Sequence, residues 1–382
     1  MVVDDYAITR APDALDNPEF PMTATRDLHE LGQSLWIDNI TRPMLDSGTL
    51  ARYIEELDVT GLTSNPTIYD KAIGGSDAYD DEVRRSVEAG DTPEGTFFAV
   101  ALSDLTRAAD LFSAVHDETD GIDGFVSLEV SPVIAYDSET TLGEAKRLHA
   151  KGGRRNLFIK IPGTLEGLTA IEDSIFAGVP INVTLLFSPK QYLAAAEAYT
   201  RGIERRIDAG LDPRVTSVAS LFISRWDAAV AEKVPADLNL RLGTAVGAAS
   251  YAAYRDFFAT SRWEALLAQG ARPQRLLFAS TGTKDPTASK TLYIEGLAAP
   301  DTVNTMPEDT LLALAAAEVS LTPLPVEGTD AWATLAKFEE AGVSVDGLGL
   351  ELQQKGADAF VKSWESLLAR VAEKSAAVAS GR

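Results

Sequence analysis

Cysteine is absent from this chain, which rules out disulfides and thiolate nucleophiles. Histidine is scarce. The three present, His29, His116 and His149, lie far apart, and none falls in a His-x-x-His or His-Glu-x-x-His pattern. No metal centre is expected, and His29 and His149 read as residues of polar helix faces. Positive charge is short as well: 34 Lys and Arg face 57 Asp and Glu, a formal net charge of −23. Such a surface repels nucleic acid and anionic membranes. It does not bar a phosphorylated substrate, which needs only a few cations in one pocket. Long apolar runs are missing too. Nothing approaches the ~18–20 residues of a membrane span, and no early stretch has the form of a secretory signal. The expectation is a cytoplasmic protein with no nucleic-acid or membrane partner and no metal or cofactor, either a monomer or a homodimer.

What is present is apolar material: 45% hydrophobic residues over 382 positions, ample for one large core. Residues 1–22 are acidic, carry Pro12, Pro18 and Pro21, and read as an N-terminal tail. Residues 23–382 read as a single domain. Within it, strand-like runs occur at Gln33–Asp38, Val59–Ser64, Gly124–Val130, Asn156–Ile161, Pro180–Leu185, Val215–Ser220, Arg275–Ser280 and Thr302–Thr305. Several are continuous apolar runs, as parallel strands covered on both faces require.

Helical periodicity fills the gaps, at Thr49–Leu57, Tyr79–Glu88, Pro93–Val115, Leu142–Lys151, Leu168–Phe176, Pro189–Ala209, Arg225–Val234 and Pro307–Glu318. An added helical stretch, Ala245–Gln269, precedes the seventh strand. Its aromatic stripe (Tyr251, Tyr254, Phe257, Phe258, Trp263) reads as core packing. Leu350–Ala376 closes the chain as a long amphipathic helix. Eight strands alternating with helices predict an α/β protein, a (β/α)₈ TIM barrel. A doubly wound open sheet also alternates in this way, but no Gly-x-Gly-x-x-Gly follows the first strand.

The fourth strand holds the most informative residue. Asn156-Leu-Phe-Ile-Lys160-Ile-Pro-Gly-Thr164 places an ammonium inside an apolar run, where charged groups are rarely buried. Burial favours the neutral amine, and a neutral lysine amine is a nucleophile for ketones, giving a Schiff base. A strand-end lysine whose head snorkels to water is the bland alternative.

In a barrel the C-terminal strand ends converge on one pocket, and here those ends are polar. They carry Asp38 and Asn39; Thr63, Ser64 and Asn65; Ser127 and Glu129; Asn182 and Thr184; Ser220, Phe222, Ser224 and Arg225; and Ser280-Thr-Gly-Thr-Lys284. Taken singly, Asp38 could cap a helix, Asn65-Pro66 could start a turn, and Asn182 with Thr184 could be the polar face of a half-exposed strand. Arg225 could pair at the surface. Glu129, framed by Leu128 and Val130, needs a partner or a proton.

Together these segments resemble the transaldolase family. Gly61-Leu-Thr-Ser-Asn-Pro-Thr-Ile68 is similar to its Asn-Pro signature, Leu157-Phe-Ile-Lys-Ile-Pro-Gly-Thr-Leu-Glu-Gly-Leu168 to its Schiff-base lysine signature, and Asn182-Val-Thr-Leu-Leu-Phe-Ser188 to a third block. The resemblance implies transfer of a dihydroxyacetone unit from a ketose phosphate, such as sedoheptulose 7-phosphate or fructose 6-phosphate, to an aldose phosphate. It makes Lys160 the nucleophile, Asp38 the acid/base for the C4 hydroxyl, and Glu129 with Thr184 the holders of a reactive water. Asn65 and Asn182 would grip the three-carbon unit, supported by Thr63 and Ser220, with Phe222 lining the substrate site. Arg225, helped by Ser280, would meet the phosphate. Where better-known members carry Ser-x-Arg after the seventh strand, this chain has Lys284, a point charge without the arginine fork. Two other readings are open: a fructose 6-phosphate or dihydroxyacetone-type aldolase, and a catalytically silent sugar-phosphate-binding barrel. Aldolases of that branch tend to carry Gln at the position of Glu129 and Tyr at that of Phe222. A silent barrel would be expected to lose Lys160 or Asp38.

Overall fold

A computed structural model describes residues 24–380; the tail expected over 1–22 lies outside the described residues. Eight strands close into a barrel in chain order: β1 (Gln33–Ile37), β2 (Val59–Thr63), β3 (Val126–Glu129), β4 (Leu157–Pro162), β5 (Ile181–Leu186), β6 (Ser217–Phe222), β7 (Arg275–Ala279) and β8 (Thr302–Met306). All pairings are parallel, including the closing β8–β1 pair. Each expected strand is present within two residues at either end. Every strand residue is buried, because side chains fill the barrel interior on one side and helices cover the other.

Local chemistry starts the helices. Asn65, Thr92, Thr164 and Ser188 each accept a backbone N–H from the first turn, and Pro66, Pro93 and Pro189 occupy the first helical position. The Asn65-Pro66 pair therefore opens a helix, Pro66–Gly74, that the sequence reading leaves as a simple turn. Ala24–Glu30, Arg42–Asp46 and Thr329–Glu340 are further helices without a counterpart in that reading; two of them are too short to show a helical period.

The stretch expected as an addition, Ala245–Gln269, is two helices, Leu242–Phe258 and Ser261–Leu267. The first packs on the preceding crossover helix Pro189–Asp208 and on β7, so it serves as the crossover between β6 and β7. The short helix Ser224–Val230 is the inserted piece. Tyr251, Tyr254, Phe258 and Trp263 are buried, and Trp263 stacks on Tyr199 with centroids 6.0 Å apart. The stripe is core packing.

The last helix runs from Val345 to Ala379, roughly 50 Å. It lies against helices Pro66–Gly74, Asp80–Ala89 and Pro93–Leu111 and touches β5. Trp364 is its main anchor, edge-on to Phe97 at 5.1 Å. Among the described residues, no helix is long and apolar enough to cross a membrane.

Gly61 shows how tightly the barrel wall is packed. A Cβ there would fall 2.6 Å from the Trp36 indole and 2.7 Å from the Phe125 carbonyl oxygen. The indole cannot swing away, since Trp36 Nε1 donates to Asp123 Oδ1 at 2.8 Å. Gly61→Ala should lower stability by about 1–3 kcal/mol, seen as a reduced urea midpoint at unchanged slope. An unchanged midpoint would show that the wall yields.

Candidate active site

Strand register brings the site together. Glu129 on β3 pairs with Lys160 on β4, and Lys160 with Asn182 on β5. Lys160 is 5% exposed, so its head does not snorkel to bulk water. Its Nζ donates to the Ser64 carbonyl at 3.0 Å and lies 3.3 Å from Glu129 Oε2. Among the described residues, neither Glu129 oxygen makes a hydrogen bond, and neither does Thr184 Oγ1, though all three atoms are buried. Buried polar atoms of this kind call for a partner. Burial pushes the Glu129 carboxyl above its ordinary value; Lys160 opposes the shift, Asp38 adds to it, and Arg225 opposes it. Glu129 thus senses three other charged residues of the site.

The remaining residues are held by named contacts. Asp38 follows β1 and accepts from Thr63 Oγ1 at 2.8 Å; Thr63 in turn lies 2.7 Å from Thr305 Oγ1. Asn182, fully buried, donates through Nδ2 to Ser127 Oγ (3.1 Å) and accepts from Ser220 Oγ (2.7 Å). Its amide orientation is thereby set. Asn65 accepts from Ile68 N through its Oδ1 at 3.2 Å and so caps the helix that follows β2. Ser280 stands directly after β7 with its Oγ 3.0 Å from Ser224 Oγ.

Two non-glycine residues at the C-terminal strand ends, Leu185 (φ +60°) and Ser280 (φ +55°), have left-handed backbone. That conformation is costly for a leucine, and such strain clusters at functional sites. Leu185 sits where the β5–β6 register shifts. Gln353 of the last helix donates to Leu185 O (2.9 Å) and Gly163 O (3.0 Å), bridging the ends of β5 and β4.

Arg225 lies in the first turn of the helix after β6, its guanidinium 5.0 Å from the Phe222 ring centroid and 5.9 Å from that of Phe360. Burial holds its pKa below the usual arginine value, against the pull of Glu129. Lys284 is exposed four residues beyond Ser280 and has no ion pair or hydrogen bond among the described residues. Ser64, Ser127, Thr305, Gln353 and Phe360 are contributors that the sequence reading does not assign. Ser127 was within reach, being two positions from Glu129 and so on the same strand face; Ser64 acts through its backbone, which leaves no mark in a sequence.

A buried primary amine beside a carboxylate, with a second carboxylate and an anchored amide at the same barrel mouth, suits attack on a carbonyl and the proton transfers that follow. A guanidinium nearby suits an anionic group. Comparison with known proteins agrees. Residues 35–371 match the family described as Transaldolase/Fructose-6-phosphate aldolase. A transaldolase of Thermobifida fusca is 44% identical over 92% of this chain and 98% of its own length. Transaldolases of Acidothermus cellulolyticus (44%, covering 90% and 95%) and Thiobacillus denitrificans (41%, covering 92% and 100%) are similar over the same extent. By fold, by site and by these matches along nearly its whole length, the chain belongs to the transaldolase/fructose-6-phosphate aldolase family.

Proposed function

We propose that the protein is a transaldolase, moving a dihydroxyacetone unit from sedoheptulose 7-phosphate or fructose 6-phosphate to glyceraldehyde 3-phosphate or erythrose 4-phosphate in the non-oxidative pentose phosphate pathway. The observation that carries this reading is Lys160, buried in β4 and held between the Ser64 carbonyl and Glu129. Transfer of the ammonium proton to a basic neighbour frees the amine to attack the ketose C2 carbonyl. Glu129, 3.3 Å away, is the base in reach, and burial raises its proton affinity, which favours its taking the proton. Loss of water from the carbinolamine leaves an iminium. Asp38 then takes the C4 hydroxyl proton; the C3–C4 bond breaks, its electron pair passes into the iminium as an enamine, and an aldose phosphate leaves. The enamine attacks the acceptor aldehyde, Asp38 returns the proton, and water releases the ketose product and Lys160.

Glu129 and Thr184 hold that water: apart from the Lys160 ammonium, their buried oxygens have no hydrogen-bond partner among the described residues. Asn182, with its amide set by Ser127 and Ser220, and Asn65 grip the three-carbon hydroxyls; Thr63 positions Asp38. Phe222 lines the site beside Arg225. Arg225 with Ser280 receives the phosphate, and exposed Lys284 adds charge further out. We place the protein in the cytoplasm, as a monomer or homodimer.

The test is borohydride reduction with fructose 6-phosphate and no acceptor, followed by peptide mass mapping. A three-carbon adduct on the Lys160 peptide is expected, and adding an aldose phosphate before reduction should discharge it. Absence of an adduct from every lysine would overturn the Schiff-base chemistry. Steady release of free dihydroxyacetone without acceptor would favour the aldolase instead.

A further inference from the structure

We propose that Phe360 of the C-terminal helix, with Gly356 one turn before it, positions Arg225 and so selects phosphorylated substrates. This rests on the transaldolase reading for its substrate, but not for the clamp itself. In a chain with 57 acidic residues, the arginines withheld from solvent are generally tied to carboxylates or carbonyls: Arg42 to Asp104, Arg255 to Asp301, Arg275 to Thr302 O. Arg225 is withheld yet has no ion pair or hydrogen bond among the described residues. Its support is aromatic, from Phe222 at 5.0 Å and Phe360 at 5.9 Å. An aromatic face attracts a guanidinium through the ring quadrupole without using its N–H groups. All five donors stay available for an oxyanion, whereas a carboxylate partner would compete with phosphate for them.

The helix is shaped for this. Residues 353, 356 and 360 share one helix face. Gln353 fastens that face to the barrel mouth through Gly163 O and Leu185 O. At 356 a Cβ would stand 3.1 Å from Arg225 Nη1 and 3.0 Å from Leu185 Cδ2, so the glycine makes room for the guanidinium. Phe187 backs Phe222 at 5.3 Å, and Phe360 meets Phe222 at 6.4 Å. The two rings and the glycine form a three-sided slot around one cation.

Phe360→Ala and Phe360→Leu should each raise KM for fructose 6-phosphate about tenfold, the loss of one cation–π contact, with kcat changed less than about twofold. Inorganic phosphate binding, measured by calorimetry on the unliganded enzyme, should weaken by the same factor. KM for unphosphorylated fructose should not move, and Phe360→Tyr should restore both affinities. Leucine keeps the bulk and loses the π face, so it separates clamp from packing. Unchanged phosphate affinity in both variants would overturn the proposal. So would an equal rise in KM for fructose, which marks a merely structural role. An enzyme that turned over no ketose phosphate but bound phosphate through Phe360 would refute the transaldolase reading and leave the clamp standing.

Discussion

Lys160→Ala is expected to lower transfer on the order of 10⁵-fold or more, the scale on which removal of a covalent nucleophile acts, while leaving the barrel folded. Alanine cannot form an iminium, so no electron sink remains for C3–C4 cleavage. The fold should survive for a specific reason. Removing the ammonium deprives the Glu129 carboxyl, 4% exposed beside Lys160, of its 3.3 Å cation. A carboxyl in that position can take a proton and shed its charge, so no uncompensated ion is left in the core. Steady-state turnover, borohydride trapping and circular dichroism measure the three parts. Retained turnover with a native spectrum would sink the Schiff-base assignment. Loss of the native spectrum would instead show that the Lys160–Glu129 pair is needed for folding.

Asp38→Asn should have the second largest effect, roughly 10²–10⁴-fold on kcat, as general acid–base catalysis contributes. The amide oxygen can still accept from Thr63 Oγ1, now 2.8 Å from Asp38 Oδ1, so the geometry is kept and only the proton acceptor is lost. Schiff-base formation at Lys160 does not require Asp38. The variant should therefore still be reduced by borohydride with fructose 6-phosphate, but the adduct should carry the intact six-carbon chain. A three-carbon adduct formed at the normal rate would mean that another group takes the C4 proton. Mass mapping distinguishes the two directly.

The residues that sequence reasoning finds and those that it misses divide along a physical line. Asp38, Glu129, Lys160, Asn182 and Arg225 stand out because each interrupts or ends an apolar run, and the cost of burying a polar group makes such interruptions informative. Ser127 lies in the same pattern one alternation away. Gln353 and Phe360 do not. They belong to an amphipathic helix whose polar and aromatic residues look like any other surface face, and nothing near them in sequence points to Arg225, 135 positions before Phe360. The inserted helix Ser224–Val230 and the crossover helix Leu242–Phe258 were likewise legible as helices, but which of them covers the barrel depends on what each packs against.

By itself the sequence determined the eight strands, most of the longer helices between them, the lysine on the fourth strand and the polar strand ends, because hydrophobic period, capping and the cost of buried charge are all local. Tertiary structure alone decided that Lys160 is gripped by the Ser64 carbonyl, that Asn182 is oriented by serines from β3 and β6, and that the last helix lays an aromatic ring on Arg225. Those contacts join residues between 38 and 135 positions apart through closure and register of the barrel. A shift of one residue in strand pairing would turn each side chain to the opposite face, and no local pattern sets that register.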